Sequence, residues 1–287
     1  MANVLVTGAT GFLGSALVPM LQVRGHLVTR LGHSCVTEIN TDLTIYECTK
    51  RTLAQVSPEI IVNLVALTDV DRCEIHPHEA YLLNVKPIEN ICAWMCANDR
   101  MCHLVHISTD QLYDGKGPHS EGELTIRNHY AMSKLAGELA TLGVPRTILR
   151  TNFVGRSMRN GRTSFTDWLH GALRGTSPIT VFDDVLFSPL AIGTLCDCIE
   201  RSIVERPLGV FNVGSSDGMS KADFAYAFAA VTGLPTTNLR RASASTVGIA
   251  ARRPTDMRMQ CERFEVRMGL KLPRLIEEIN VLSHEYL

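Results

Sequence analysis

The stretch HYAMSKLAGE places a tyrosine, Tyr130, and a lysine, Lys134, four residues apart. Around them Ala131, Leu135, Ala136, Gly137 and Ala140 are small or apolar, which predicts a helix packed closely against a neighbour. Side chains at i and i+4 share a helix face, so a phenol and an ammonium point the same way. Such a pair can form a proton-transfer unit, in which the cation tunes the phenol. The same spacing also suits a tyrosine that anchors a helix and a lysine that snorkels to water. The remainder of the chain decides between these readings.

The chain has 287 residues, 45% apolar and 20% charged, with a net charge of -1. This length suits one core with a smaller appended lobe, or one large α/β domain, and the composition is that of a soluble globular protein. Near-neutral charge, with no Lys/Arg cluster beside stacking aromatics, argues against a nucleic-acid groove. The beginning MANVLVTG shows no charged region leading into a long apolar run, and no stretch approaches a membrane span. A cytoplasmic protein with no membrane partner is expected. Cysteines at 35, 48, 73, 92, 96, 102, 196, 198 and 261 follow no framework spacing and read as reduced, structural thiols. Cys92, Cys96, Cys102 and His103 invite comparison with a metal site. Cys102, however, opens a strand that runs away from the helix holding Cys92 and Cys96, so no metal is expected.

Short apolar, β-branched runs recur at 3–7, 26–29, 60–65, 103–107, 147–150 and 209–213, with helical periods at 17–23, 52–56, 80–95 and 131–142. Continuous apolar strands that alternate with helices predict a parallel sheet covered on both faces. The expected fold is α/β: a Rossmann-like, doubly wound parallel sheet over 1–150, with a smaller, discontinuous C-terminal substrate-binding lobe. GRSMRNGRTS loosens the rhythm after Arg150, and helices follow at 164–173, 191–202, 220–231 and near 274–285. Segments near 180–215 and 245–272 are expected to return to the sheet domain. That leaves 151–179, 216–244 and 273–287 for the lobe.

VLVTGATGFLGSALVPML sets Gly8, Gly11 and Gly14 between the first strand and the first helix. Glycine there permits a tight turn, close approach of a pyrophosphate, and an anion on the helix N-terminus. With a strand before, a helix after and a second strand beyond, the context of a dinucleotide fingerprint is met. An NAD site usually ends the second strand in an acidic residue. VTRLGHS instead offers Arg30 for a 2′-phosphate, with His33 and Ser34 as helpers, so NADPH is expected in preference to NADH.

Together with STDQLYDG at 108–115 and YAMSK at 130–134, the glycine turn resembles the extended short-chain dehydrogenase/reductases, and among them the dTDP-4-dehydrorhamnose reductase family. The likeness runs through most of the chain, including INTDLT, VNLVALTDVDRCE, LLNV, LRTNFVG, GVFNVGSSDGMSKADFA and RRPTDMRM. It implies NADP contacts from Gly8, Thr10, Gly11, Phe12, Leu13 and Gly14, from Asp42 and Leu43 beside the adenine, and from Ala66, Leu67, Thr68 and Asn84. It also implies that Lys134 holds the nicotinamide ribose and lowers the pKa of Tyr130, which protonates a carbonyl oxygen held by Thr109. Ser108 is the neighbouring hydroxyl, and alignment on LYDG favours Thr109. Val70, Asp110, Gln111, Asn152 and Phe153 would face the sugar. Gln111 stands where many relatives have an aromatic residue, and Phe153 where many have tryptophan, so the reaction class is better marked than the sugar.

The resemblance implies a nucleotide-sugar substrate and leaves room for a homodimer. A diphosphate calls for cations, and Arg253 is the first candidate, followed by Arg252, Arg156, Arg159 and Arg162. Two alternatives share the motifs. A nucleotide-sugar epimerase or dehydratase would hold NAD, against which Arg30 and the single acidic residue of STDQ count. An NADP-binding regulatory subunit like that of methionine adenosyltransferase would not need Tyr130 and Lys134, which are both intact.

Overall fold

Aliphatic and β-branched runs, buried on both faces, form the centre of the molecule. The structure is a computed structural model that describes residues 1–33, 37–98, 102–158, 161, 163–246 and 250–286; Ser34, Cys35, Arg159 and Arg162 lie outside the described residues. Strands β1 (Asn3–Thr7), β2 (Leu27–Gly32), β3 (Ile39–Asn40), β4 (Ile60–Asn63), β5 (His103–Thr109) and β6 (Arg146–Thr151) join a further strand, Gly209–Val213. All seven are parallel, in the order Gly209–Val213, β6, β5, β4, β1, β2, β3. The chain winds outward from β1 in one direction and from β4 in the other. Between them, at the carboxyl ends of the strands, lies the crevice where doubly wound sheets bind ligands.

The helices α1 (Phe12–Val23), α2 (Tyr46–Val56), α3 (Val70–Ile75), α4 (Pro77–Asn84), α5 (Lys86–Ala97) and α6 (His129–Ala140) follow in turn. Strand alternation divides the core between the two faces of the sheet. Val4 and Val6 pack with Leu17 and Leu21 of α1, whereas Leu5 between them packs with Leu53, Ile91 and Trp94 on the opposite side. Beyond β6 come α7 (Phe165–Leu173), α8 (Ile192–Glu205), α9 (Lys221–Thr232), α10 (Glu262–Met268) and α11 (Leu275–Tyr286). Leu195 and Ile199 of α8 join the α1 side of the sheet. Leu169, Phe187, Phe224, Phe228 and Ile279 form the separate core of a smaller lobe.

The helical period at 80–95 is two helices. Pro87 has no N–H to donate back to the preceding turn, so the hydrogen-bond ladder breaks there, α4 ends at Asn84 and α5 starts anew at Lys86. Val181, Val185 and Phe187, expected with the sheet domain, pack in the smaller lobe, because Ile179–Phe182 pairs in parallel with Leu239–Ala242. The short α3 and α10 have too few turns to show a clear period.

One buried polar cluster joins α6 to the sheet. Arg150 on β6 and Glu138 on α6 are each 4% exposed. Arg150 Nε and Nη2 donate to the Glu138 carboxylate at 2.9 and 2.6 Å, and Ser108 Oγ of β5 donates to it at 2.5 Å. The third guanidinium nitrogen donates to the Tyr113 oxygen at 2.9 Å and the Glu121 carbonyl at 2.6 Å, and Tyr113 donates to Asn212 at 2.6 Å. Arg150→Met would leave Glu138 buried without its cation. It should lower the free energy of urea unfolding by about 3–5 kcal/mol. A loss below about 1 kcal/mol, the worth of a solvent-exposed pair, would show that the cluster does not hold these elements together.

Candidate active site

The turn between β1 and α1 admits no side chain at two points. Gly8 has φ +66° and a Cβ there would lie 3.0 Å from the Leu64 carbonyl carbon, while a Cβ on Gly14 would lie 2.6 Å from the Gly8 and Ala9 carbonyl oxygens. The open N-terminus of α1 therefore meets the crevice directly, as anion binding by backbone N–H groups requires. A cleft of about 510 Å³ runs from this turn across the strand ends to α6.

Its walls bring together Gly8, Thr10, Gly11, Phe12, Leu13 and Gly14 with Asp42, Leu43, Ala66 and Thr68. At the other end stand Thr109, Asp110, Gln111, Tyr130, Lys134, Asn152 and Phe153. His33 is also on the wall, as are Gly32, Thr41, Thr44 and Leu64, which motif reading did not single out but which flank residues it did. The Phe12 and Phe153 rings face each other at 5.4 Å and bridge the glycine turn to the far wall.

Five expected contact residues lie off this wall. Asn84 accepts from the Leu67 N–H at 2.7 Å and donates to the Leu67 carbonyl at 3.2 Å and to Ser133 at 2.8 Å. It clamps the loop after β4 to α6, so Asn84 and Leu67 act as a brace. Val70 is buried with Cys73, Ala80, Tyr130 and Ala251. Arg253 is paired with Asp71 at 2.7 Å. Arg30 donates through Nε to both oxygens of Glu38, at 2.8 and 2.7 Å. The missing acidic partner of the second strand thus arrives from just before β3, outside the position where a fingerprint places it. Asp42 is held below its ordinary value by the hydroxyl and N–H of Thr44, with His33 at 3.8 Å.

At the reactive end, α6 starts on Asn128, whose side chain accepts from the Ala131 N–H at 2.8 Å. Gly137 lets the helix press on α4, since a Cβ there would lie 2.7 Å from the Asn84 carbonyl oxygen. Tyr130 and Lys134 are both buried, on one face of α6. Lys134 Nζ donates to the Ile107 carbonyl at 2.7 Å. Burial brings Lys134 down to about 8, while Glu138 one turn on opposes the shift. Burial also pushes the Tyr130 phenol above its ordinary value, the Asp110 charge adding to the rise, and the facing Thr109 hydroxyl pulls it back. The Lys134 ammonium is turned to the strand carbonyl, and the Thr109 hydroxyl is the group that pulls the phenol down. Ser108 is committed to Glu138, which leaves Thr109 as the hydroxyl beside the phenol.

Arg156, one of the expected cations, donates its backbone N–H to the Glu285 carboxylate at 2.6 Å and its guanidinium to the Glu285 backbone carbonyl at 2.8 Å. Among the described residues no group of three His, Cys, Asp or Glu could hold a metal, and the His103 ring pairs with the Thr147 hydroxyl at 2.7 Å. No helix among them is long and apolar enough to cross a membrane.

A glycine-turn cleft on a doubly wound sheet, with threonine, tyrosine and lysine at its far end, defines an extended short-chain dehydrogenase/reductase. Within that class the chain belongs to the family described as the RmlD substrate binding domain, which it matches over residues 1–287. It is 29% identical over 286 residues to dTDP-4-dehydrorhamnose reductase of Escherichia coli K12, covering 94% of this chain and 93% of that one. It is 30% identical over 247 residues to the spore coat polysaccharide biosynthesis protein SpsK of Bacillus subtilis, covering 83% and 82% of the two chains. The crystal structure of dTDP-4-dehydrorhamnose reductase from Bacillus anthracis in complex with NADP superposes with a TM-score of 0.88 at 25% identity, over 98% of each chain.

Asp110 couples the site to pH. Its carboxyl accepts from Asn152 at 2.6 Å, and burial raises its pKa from 3.8 to about 6, against the opposing pull of Lys221 and Thr109. Between those values the folded protein keeps a proton that the unfolded chain releases, so stability falls as pH rises through this window. Asp110→Asn should remove that fall, worth on the order of 2 kcal/mol, when urea unfolding is followed from pH 4 to 7. Parallel profiles for the two proteins would show that the carboxyl is not strained by burial.

Proposed function

We propose that the protein is an NADPH-dependent reductase of a 4-keto-6-deoxy nucleotide sugar, acting in nucleotide-deoxysugar biosynthesis. The observation that carries this reading is the buried Tyr130 phenol facing the Thr109 hydroxyl at the end of a cleft that begins on a side-chain-free glycine turn. The cradle fits a dinucleotide, because Gly8 and Gly14 leave backbone N–H groups where a pyrophosphate needs them. Bound there, NADPH supplies the hydride. Arg30 offers its guanidinium to the 2′-phosphate in competition with Glu38, and Lys134 offers its ammonium to the ribose. The same reading places the reaction in the cytoplasm, with a homodimer as the assembly to test.

Thr109 and Tyr130 together orient a carbonyl oxygen between two hydroxyls. Because burial holds the phenol protonated at neutral pH, Tyr130 can donate its proton to that oxygen as the carbon is reduced. Charge that develops on the oxygen is stabilised by both hydroxyls, beside the facing rings of Phe12 and Phe153. Asn152 fixes Asp110, and with it the Thr109 turn, since Thr109 Oγ1 donates to Asp110 at 3.3 Å.

Tyr130→Phe keeps the ring and its packing but removes the proton. NADPH oxidation with 4-keto-6-deoxy sugars on dTDP, GDP or CDP should fall by about 10² or more, with the fold and NADPH affinity retained. Lys134→Ala should weaken NADPH binding as well as turnover. A wild type that turns over none of these sugars, or a Tyr130→Phe variant as active as wild type, would favour an NADP-binding regulatory subunit.

A further inference from the structure

Tyr130 is the second residue of α6 and so sits in its first turn, where backbone N–H groups find no carbonyl of their own helix. Helix ends fray unless other groups take those donors. Here two side chains do so. The Glu74 carboxylate of α3 accepts from the His129 N–H at 2.9 Å, and Asn128 Oδ1 accepts from the Ala131 N–H at 2.8 Å. The backbone that carries the phenol is thus pinned on either side of it.

A cap needs only the side-chain oxygen, which serine or aspartate also supplies. Asn128, buried at 5% exposure, does more. Its Nδ2 donates to the Arg252 carbonyl at 2.9 Å and, over a longer 3.4 Å, to Oε1 of Gln111 on the cleft wall. With an N–H at one end of the amide and a carbonyl at the other, only one orientation of the side chain satisfies both. Arg252 lies in a segment held from several sides. The Ala251 N–H and the Arg253 guanidinium donate to separate oxygens of Asp71 at 2.9 and 2.7 Å, and the Thr255 N–H donates to Asp114 at 2.8 Å. Ala251 itself is fully buried, in one apolar cluster with Val70, Cys73, Ala80 and Tyr130. Asn128 therefore bonds both the turn that carries the phenol and the segment that packs with it.

We propose that Asn128 is a positioning residue for the reduction: its amide ties the first turn of α6 to the segment 251–253 and so holds the Tyr130 phenol in line with the substrate carbonyl. This rests on the reading of Tyr130 as the proton donor of a nucleotide-sugar reductase. Proton transfer requires the donor within hydrogen-bond reach of the oxygen, and a displacement of about 1 Å can cost on the order of 10² in rate. Capping alone keeps the helix. The second bond, to the Arg252 carbonyl, keeps the helix and the segment in one arrangement.

Two variants of the full chain separate the bonds. Asn128→Ser keeps the cap and is too short to reach Arg252; Asn128→Asp keeps the cap and the shape but has no N–H to donate. NADPH oxidation is measured with 4-keto-6-deoxy sugars on dTDP, GDP and CDP, with NADPH-binding sites counted by fluorescence titration and amide hydrogen exchange followed in parallel. Both variants should lose about ten- to a hundredfold in kcat per NADPH site, with KM and NADPH affinity nearly unchanged. The melting temperature should fall by only about 2–4 °C, the share of one hydrogen bond, and exchange across residues 250–257 should quicken. A merely structural role would remove NADPH sites and leave turnover per site intact, and that result overturns the proposal. So does turnover per site restored in Asn128→Asp, or a loss of turnover with exchange across 250–257 unchanged. Wild-type turnover matched by both variants overturns it and leaves the reductase reading standing. If wild type turns over none of these sugars, the reductase reading falls and the proposal with it.

Discussion

Arg150 and Glu138 meet where water does not reach, and each is costly to bury alone. The carboxylate is made tolerable by three donor groups, two from the guanidinium and one from Ser108. The guanidinium in turn spends its remaining N–H groups on Tyr113 and the Glu121 carbonyl. Each partner lies on a different piece of the chain: α6, β5, β6, and the loop that follows β5. Through Tyr113 and Asn212 the cluster reaches the last strand of the sheet. A buried network of this kind holds its members in one arrangement, because any slip strands a charge. Since Ser108 and Glu138 flank Thr109 and Lys134 in sequence, the register of the cluster is also the register of the proposed catalytic groups.

Burial then sets the chemistry of those groups. The same desolvation that lowers Lys134 to about 8 raises Asp110 to about 6 and holds the Tyr130 phenol protonated. A group whose task is to give a proton is better kept protonated until a partner demands it. The opposing shifts bring both Lys134 and Asp110 toward neutrality. Rigidity beneath and responsive charge above are properties of one arrangement, because α6 carries both Glu138 and the Tyr130–Lys134 pair.

The parts of this arrangement that are local were legible in the sequence. The glycine turn, the four-residue spacing of Tyr130 and Lys134, and the apolar strands each rest on residues a few positions apart, and the family resemblance extended them to Thr109, Asp110, Asn152 and Phe153. Partnerships closed by the fold were not legible. Arg253 meets Asp71 across 182 positions, and Arg30 meets Glu38 only because β3 folds back beside β2. Asn84, which the resemblance offers as a cofactor contact, also braces Leu67 against Ser133, a role its sequence position does not reveal.

The central claim is that α6, docked through Glu138, presents Tyr130 to a carbonyl held by Thr109 while NADPH reduces its carbon. The most direct measurement is the fate of a label: NADPH deuterated at the transferring position of the nicotinamide, reacted with a 4-keto-6-deoxy nucleotide sugar, and the product examined by NMR and mass spectrometry. The account predicts one deuterium per product, bound to C4 of the sugar and retained in deuterium-free water. Product with no deuterium, or with deuterium at another carbon, would contradict it.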